Sequence, residues 1–371
     1  MKRVLLMAFI VGMMMTSLLS KEIKIGVILP MSGPVGGFGQ NAFKGIELAK
    51  QMKPKLDNGD SIKIVLIDNK SDKIESANGM SRLISKDKVT AIIGALTSTN
   101  TMAITKIADD NKIPLVTPVA TNVLVTKNRK YVSRVCFSDS FQGVVAAEYL
   151  YKNLGKKSVV LIIDSKSDYS IGLAKSFRKA FKKLGGKIIK KIMITAGDKD
   201  FKAQISMLKN LKPEAIYMPI YSNEAALIAI QAKQLGLKTL FMGSDGMTAD
   251  DVFFKIGKDA INGFNSTDLF SADAPINTKL GKEFSKLYQE KYKTKVHPFA
   301  IMSADAYFLI VDAMQKCGDD KECINKTIRE TKNFQGASGV ISLDKNGDAI
   351  RSAVINEVEN GKLKFKAIIN P

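Results

Sequence analysis

Residues 23–49 read IKIGVILPMSGPVGGFGQNAFKGIELA, and this stretch decides the fold class. Its first seven residues are almost all apolar and rich in β-branched side chains, which is typical of a strand buried on both faces of a sheet. Beyond a loop rich in glycine and proline, Ala42, Ile46 and Ala49 recur at helical spacing. A buried strand followed by an amphipathic helix is the building unit of an α/β protein.

The same unit recurs along the chain in two series. Further apolar strands are predicted at 62–67, 89–93, 114–116, 159–163, 188–194, 215–218 and 239–242. Apolar residues at helical spacing predict helices over 173–184, 201–211 and 224–235 in the second series. Two series in a chain of 371 residues predict two lobes, each a parallel, doubly wound sheet covered by helices.

The last third of the chain differs in kind. Helices are predicted over 280–292, 304–315 and 323–331 without strands between them, before a strand at 340–343 and alternating residues over 353–358. Such helices must bury their apolar stripes on a sheet that already exists. We therefore expect the chain to return and cover the first lobe, as in a clamp with several hinge crossings.

The N-terminus reads as a secretory signal peptide over residues 1–20. A basic head, MKR, precedes an apolar run over 4–15, and the small residue Ser20 stands just before Lys21. The run is shorter than the roughly 18–20 apolar residues that a membrane span needs. We expect an exported protein that begins at Lys21, without a lipid anchor because no Cys stands at the cleavage site.

Composition argues against several classes of function. The formal net charge is +20, but the basic residues are mostly Lys and there is no Trp, whereas nucleic-acid recognition favours Arg and aromatic residues. We expect no nucleic-acid partner. His297 is the only histidine, so no metal site and no cofactor are expected.

Cys317 and Cys323 could close a small disulfide ring in an oxidising compartment or remain two thiols at the ends of a turn.

One motif favours a different interpretation of this segment, a dinucleotide-binding loop. Gly37-x-Gly39-x-x-Ala42 matches the dinucleotide-binding fingerprint, and Asp68 ends the next strand where a ribose-binding carboxylate would lie. In that motif the glycines follow the strand almost at once, whereas here 30–36 intervene, including Pro34. We interpret the segment as a flexible loop over a cleft. With one histidine and no nucleophile motif, we expect a binding protein and not an enzyme.

Polar segments follow two strands of the first series. GALTSTN (94–100) runs into a helix, and TPVATN (117–122) follows the next strand. Open α/β sheets bind ligands at these carboxyl ends, where small hydroxyls and free N–H groups suit a carboxylate. Ordinary helix capping by Ser98 and Thr99 is the alternative for each loop taken alone.

Taken together, several phrases resemble the leucine/isoleucine/valine-binding proteins of ABC importers. They are the opening stretch, IIGALTSTNTMA (92–103), IPLVTPVAT (113–121), ITAGDKDF (194–201), QAKQLGLKTLFMGSDG (231–246) and GVISLDKNGD (339–348). The resemblance covers nearly all of the chain after residue 20. It implies a type I periplasmic-binding fold with two doubly wound lobes and three hinge crossings. It also implies a periplasmic monomer that closes on an amino acid and delivers it to an ABC permease in the inner membrane.

The resemblance also implies domain bounds and a ligand site. The N-terminal lobe would comprise 21–135 and 267–352, and the C-terminal lobe 136–266 and 353–371, with hinges near Val135, Ser266 and Ala353. The ligand carboxylate would be held by the Ser98 hydroxyl, the Val119 backbone, and the Thr121 hydroxyl and N–H. The other implied ligand-binding residues are Tyr169 and Tyr221 closing from the second lobe, Asp245 pairing with the ammonium, and Phe38 and Phe299 lining the side-chain pocket.

Two departures from the family pattern bear on the ligand. Leucine-binding relatives have Glu at the position of Asp245 and Tyr at that of Phe38, so the carboxylate is shorter here and the pocket is drier. The Cys that some relatives carry at the position of Thr97 is missing, so their N-lobe disulfide cannot form.

The main functional hypothesis is capture of an aliphatic, branched-chain amino acid. The alternatives are a binding protein or sensor for another amino acid, amide or short-chain acid, and a periplasmic enzyme that acts on an amino acid.

Overall fold

The chain forms two α/β units, each built on one main sheet. The computed structural model describes residues 20–371, so the predicted signal peptide lies outside the described residues except for Ser20. Within residues 20–371, no helix is both long and apolar enough to cross a membrane.

The first unit is a five-stranded sheet flanked by helices. Its strands lie in the order β2-β1-β3-β4-β5, and all neighbours are parallel. The elements in chain order are β1 (Glu22–Leu29), α1 (Gly36–Met52), β2 (Ser61–Asp68), α2 (Lys73–Ser85), β3 (Ala91–Ile93), α3 (Ser98–Asp110), β4 (Leu115–Thr117) and β5 (Val132–Arg134).

The second unit is a seven-stranded sheet with the order β15-β14-β10-β9-β8-β6-β7. Its elements begin with α4 (Asp139–Glu148), a π-helical turn (Tyr149–Asn153), β6 (Ser158–Asp164), α5 (Asp168–Lys183), β7 (Lys187–Ile194) and α6 (Lys202–Leu211). They continue with β8 (Ala215–Tyr217), α7 (Ser222–Gln234), β9 (Leu240–Gly243), α8 (Asp251–Gly257), a 3₁₀ turn (Lys258–Ile261) and β10 (Asn265–Asp268).

The C-terminal elements are shared between the two units. They are α9 (Lys279–Tyr292), α10 (Pro298–Cys317), α11 (Lys321–Arg329), β11 (Phe334–Gln335), β12 (Val340–Leu343), β13 (Ala349–Ile350), β14 (Ala353–Glu359) and β15 (Lys362–Ile369). Strands β11 to β13 form a small third sheet. Helix α10 is buried nearly all round, because it packs between α1 and the first sheet.

This arrangement agrees with the predicted two-lobed α/β architecture and with the return of the C-terminal helices to the first unit. The second sheet departs from an all-parallel one at a single edge, where β14 pairs antiparallel with both β10 and β15. Close packing of α1 on α10 requires a glycine, since a Cβ at Gly45 would lie 1.9 Å from the Ala300 carbonyl oxygen. Cys317 and Cys323 form a disulfide, and Cys136 is buried as a free thiol.

We call the two units the N-terminal and C-terminal lobes. The chain passes between their sheets three times: between β5 and α4, between β10 and α9, and between β13 and β14. The carboxyl ends of β1, β3 and β4 in one lobe and of β6, β8 and β9 in the other are therefore available to one cleft, where open α/β sheets bind ligands.

Candidate ligand-binding cleft

Seven of the eight predicted site residues line one cavity between the lobes. They are Phe38, Ser98, Val119, Tyr169, Tyr221, Asp245 and Phe299. Thr121 is buried in the same loop as Val119 but does not line the cavity.

One end of the cavity is built to donate hydrogen bonds. Thr97 stands at the N-cap of α3 without a capping bond from its side chain, so the first N–H groups of this helix remain open to an anion. The Oγ of Ser98 accepts a hydrogen bond of 3.1 Å from the N–H of Asn122. Because that bond uses a lone pair, the Ser98 hydroxyl proton is free to point elsewhere, which suits a ligand carboxylate.

The opposite end is acidic. The Oδ1 of Asp245 accepts hydrogen bonds of 2.7 Å from the Nε2 of Gln142 and of 2.7 Å from the hydroxyl of Tyr169. The Tyr169 oxygen in turn accepts the N–H of Gly246 at 3.1 Å. Burial raises the pKa of Asp245 to about 6, and the hydrogen bonds from Gln142 and Tyr169 limit that rise. Asp245 is therefore largely ionised at neutral pH.

Two further buried carboxyls surround Asp245 without lining the cavity. Burial raises the pKa of Asp139 and of Asp268 to about 8, and the charge of Asp245 adds to both shifts. Thr121 faces Asp139 and lowers its pKa, but the pair does not reach hydrogen-bond geometry. Near neutral pH the cluster therefore concentrates its negative charge on Asp245, the member that faces the cavity.

Aromatic rings form the rest of the wall. The ring of Phe38 meets those of Tyr221 and Phe299 edge to face, with centroids 5.3 Å and 5.4 Å apart. Tyr169 and Tyr221 stack at 5.2 Å. Phe38 and Phe299 come from the starts of α1 and α10 in the N-terminal lobe. The wall between the polar ends is thus apolar and suits a hydrocarbon side chain.

The lobes touch each other around this cavity. The Nδ2 of Asn122 donates to the carbonyl of Asp168 at 2.7 Å, and the N–H of Asp168 donates to the Oγ1 of Thr99 at 3.1 Å. At another point the Nδ2 of Asn223 donates to the carbonyl of Pro34 at 3.4 Å. These contacts join residues of different lobes, so they depend on closure of the cleft.

The fingerprint-like glycines serve packing. A Cβ at Gly39 would lie 2.2 Å from the Pro30 carbonyl oxygen, and one at Gly37 would lie 1.9 Å from Oδ2 of Asp250 in the other lobe. The carboxylate of Asp68 is engaged by the backbone: its Oδ1 accepts hydrogen bonds from the N–H groups of Met31 and Lys70 at 2.9 and 2.8 Å. These contacts agree with a loop over the cleft.

Sequence reasoning missed several residues of the site. Leu96, Thr97 and Gly246 line the cavity, and Gln142 holds Asp245. Leu96 has φ of +77°, a conformation that residues with a side chain rarely adopt. All three stood inside quoted motifs, and Thr97 and Gly246 are direct neighbours of the predicted Ser98 and Asp245. Gln142 had no local signal, because it comes from α4 and meets Asp245 over 103 residues of sequence.

Comparison with known proteins defines the class. A family model described as periplasmic binding protein matches residues 22–362. The chain therefore belongs to the periplasmic binding protein family.

Individual relatives narrow this class. The structure of a leucine binding protein, LivK, from Thermotoga maritima MSB8 is similar with a TM-score of 0.91 and 44% identity, over 94% of this chain and 99% of that one. LivJ from Streptococcus pneumoniae, solved in complex with isoleucine, is similar with a TM-score of 0.88 and 32% identity, over 95% and 100%. Leu/Ile/Val-binding protein homolog 3 of Brucella melitensis biotype 1 is 28% identical over 88% of each chain. The resemblance to leucine/isoleucine/valine-binding proteins and the type I periplasmic-binding fold are confirmed.

Proposed function

We propose that this protein is the substrate-binding component of an ABC importer and captures an aliphatic, branched-chain amino acid by hinge closure. The observation that carries the proposal is the cavity between the lobes that has donors at one end, Asp245 at the other and aromatic rings between. A zwitterion loses much hydration on burial, so it needs partners at both charged ends. The solved complex of a relative with isoleucine supports this ligand class.

The residues divide the ligand between them. The Ser98 hydroxyl, the first N–H groups of α3, and the Val119–Thr121 loop hold the carboxylate. Asp245 pairs with the ammonium, supported from behind by Gln142 and Tyr169. Because these two sets of groups come from different lobes, the ligand bridges the lobes and favours the closed state.

The proposal includes the organisation of the protein. The N-terminal lobe comprises 21–135 and 267–352, and the C-terminal lobe comprises 136–266 and 353–371. Its support is that each bound falls within a few residues of a passage between the two sheets. The protein is a monomer without catalytic activity, and it delivers its ligand to an ABC permease in the inner membrane.

A thermal-shift panel across the amino acids, with a product assay beside it, tests the function. We expect leucine, isoleucine and valine to raise Tm and to be recovered unchanged. A shift caused only by an amide or a short-chain acid would favour the alternative binding function. Conversion of an amino acid would show that the protein is an enzyme.

Export is tested separately. We propose that residues 1–20 are removed as a signal peptide and that the mature protein begins at Lys21. Mass spectrometry of the periplasmic protein gives the N-terminus directly. A chain that still begins at Met1 would contradict both the signal peptide and the periplasmic location.

A further inference from the structure

Arg134 is a fully buried cation at the end of β5, with 0% of its surface exposed. Its Nε donates to Oδ1 of Asp348 at 2.6 Å, and its Nη2 donates to Oγ1 of Thr126 at 2.7 Å. Its Nη1 donates to the carbonyls of Ala120 and Asn122, at 2.9 and 3.0 Å. Burying a charge costs several kcal/mol unless it is paired and fully hydrogen-bonded, so this network has to be nearly complete to be tolerated.

The two hydrogen bonds from Nη1 hold the backbone of a loop at the candidate site. Ala120 and Asn122 flank Thr121, and the carbonyl of Thr121 itself accepts the N–H of Asp139 at 2.7 Å. Three consecutive carbonyls are therefore held by partners outside the cavity. The N–H of Asn122 is also held, by Ser98. The Thr121 hydroxyl, in contrast, has no hydrogen-bond partner among the described residues.

We propose that Arg134 is a positioning residue that preforms the carboxylate-binding loop, residues 119–122. This inference rests on the proposed function, because it concerns the end of the cavity that receives the ligand carboxylate. Because the carbonyls of residues 120–122 are hydrogen-bonded on the side away from the cavity, the loop cannot turn a carbonyl oxygen toward the ligand carboxylate. Asp348 balances the guanidinium charge, so Arg134 acts as a strut and does not compete for the ligand anion.

Lysine cannot replace this arginine. The guanidinium is planar and offers five donors in fixed directions, whereas an ammonium is a single point with three. Arg134→Lys would keep the charge beside Asp348 but leave at least one buried carbonyl of the loop without a partner. A buried carbonyl without a hydrogen-bond partner is unfavourable, so the loop would rearrange. It would then no longer have a single conformation in the ligand-free protein.

Arg329 offers a matched control in the same lobe. Its Nη1 donates to the carbonyl of Val132 at 3.1 Å and its Nη2 to that of Lys345 at 2.7 Å, and it makes no hydrogen bond to residues 119–122. Arg329→Lys therefore removes guanidinium–carbonyl hydrogen bonds at a partly buried position without touching the loop. Any general loss of stability should appear in both variants, whereas a loss of loop position should appear only in Arg134→Lys.

The experiment uses leucine and leucinol, which lacks the carboxylate but keeps the ammonium and side chain. We expect Arg134→Lys to weaken leucine binding by roughly 30-fold or more and leucinol binding by less than about threefold. Arg329→Lys should change both ligands by the same small factor. In the ligand-free protein, amide hydrogen exchange at residues 119–122 should quicken by roughly tenfold in Arg134→Lys alone.

Equal effects on leucine and leucinol, or unchanged exchange at residues 119–122, would overturn the positioning role. If the wild-type protein binds no leucine, the proposed function fails, and the exchange measurement still decides whether Arg134 orders the loop. If Arg134→Lys does not fold, Asp348→Asn loosens the same guanidinium with little change of shape. It should show the same selective loss at a smaller size, and an unselective loss there would overturn the proposal.

Discussion

At the residue scale, the proposed recognition of the ligand depends on Asp245, which alone among three neighbouring buried carboxyls faces the cavity. Its neighbours Asp139 and Asp268 have pKa values raised to about 8 by burial and by the charge of Asp245. Mutual repulsion of this kind keeps most members of such a cluster neutral. The cavity therefore presents one negative charge to the ligand ammonium.

Asp245→Ala removes that charge. We expect a loss of roughly 3–5 kcal/mol, about two to four orders of magnitude in affinity, because the ammonium would be buried without a partner. Asp245→Glu should be mild. Calorimetry with leucine measures both, and Asp268→Asn is the control, since this carboxyl is buried nearby but does not line the cavity. Wild-type affinity in Asp245→Ala would mean that the polarity assigned to the cavity is wrong.

The pH dependence of binding follows from the same residue. Burial raises the pKa of Asp245 to about 6 in the ligand-free protein, and a bound ammonium favours the carboxylate and lowers that pKa. Ligand binding therefore releases a proton below about pH 6, so affinity should fall roughly tenfold per pH unit there and change little from pH 6.5 to 7.5. Asp139 and Asp268 remain mostly protonated throughout this range.

Calorimetry in two buffers of different ionisation enthalpy measures the proton release at pH 5.5. Asp245→Asn should bind weakly with no proton release. A wild-type affinity that is flat between pH 5 and pH 7 would contradict the assignment of Asp245 as the ammonium partner.

At the element scale, closure depends on how tightly the first turn of α1 approaches α8. A Cβ at Gly37 would lie 1.9 Å from Oδ2 of Asp250 across the cleft, whereas one at Gly36 would meet its nearest atom, the Met31 carbonyl oxygen, at 3.3 Å. We expect Gly37→Ala to weaken leucine binding by roughly tenfold, because the closed state becomes less populated. Gly36→Ala is the matched control, with near wild-type affinity.

A second substitution makes this test specific. Asp250 caps α8 through its bond to the N–H of Val252, and serine caps a helix equally well with a shorter side chain. Asp250→Ser should therefore restore binding in Gly37→Ala. If Gly37→Ala binds like Gly36→Ala, these two elements do not meet in the ligand-bound state.

Element boundaries show what the sequence could predict. Strands β1, β6 and β12 lie within a residue of their predicted ranges. Strands β1 and β6 carry a run of buried apolar residues, whereas β12 buries only Ile341 and Leu343 at alternating positions. Strand β10 reads NSTD and was not predicted as a strand, because it is central, buried and polar, and periodicity carries no signal there. Helix α4 was missed because Gly143 interrupts it, although close packing needs that glycine: a Cβ there would lie 2.6 Å from the Phe177 nitrogen of α5.

The binding site was likewise only partly predictable from the sequence. Most residues that face the cavity follow strands or begin helices, so matching motifs identified seven of the ten. The residues that hold them, such as Gln142 and Arg134, act over long sequence separations and through geometry that only the fold supplies. Supporting contacts of this kind leave no local pattern in one sequence.

At the scale of the whole molecule, the proposed function makes the protein a clamp whose two lobes contribute different groups to one ligand. The N-terminal lobe supplies the donors and two apolar rings, and the C-terminal lobe supplies Asp245 and two tyrosines. The ligand can stabilise closure only by interacting better with the closed state than with the open one. Specificity and closure therefore have the same origin.

The ligand panel tests this account most directly. The walls formed by Phe38 and Phe299 offer no hydrogen-bond partner, so a Glu or Lys side chain would be buried unpaired at a cost of several kcal/mol. Aliphatic side chains gain about 0.8 kcal/mol for each buried methylene, so alanine should bind more weakly than valine.

The measurement is calorimetric titration of ligand-stripped protein with leucine, valine, alanine, glutamate and lysine. The account predicts tight binding of leucine and valine, weaker binding of alanine, and none of the two charged amino acids. Tight binding of glutamate without binding of leucine would contradict it.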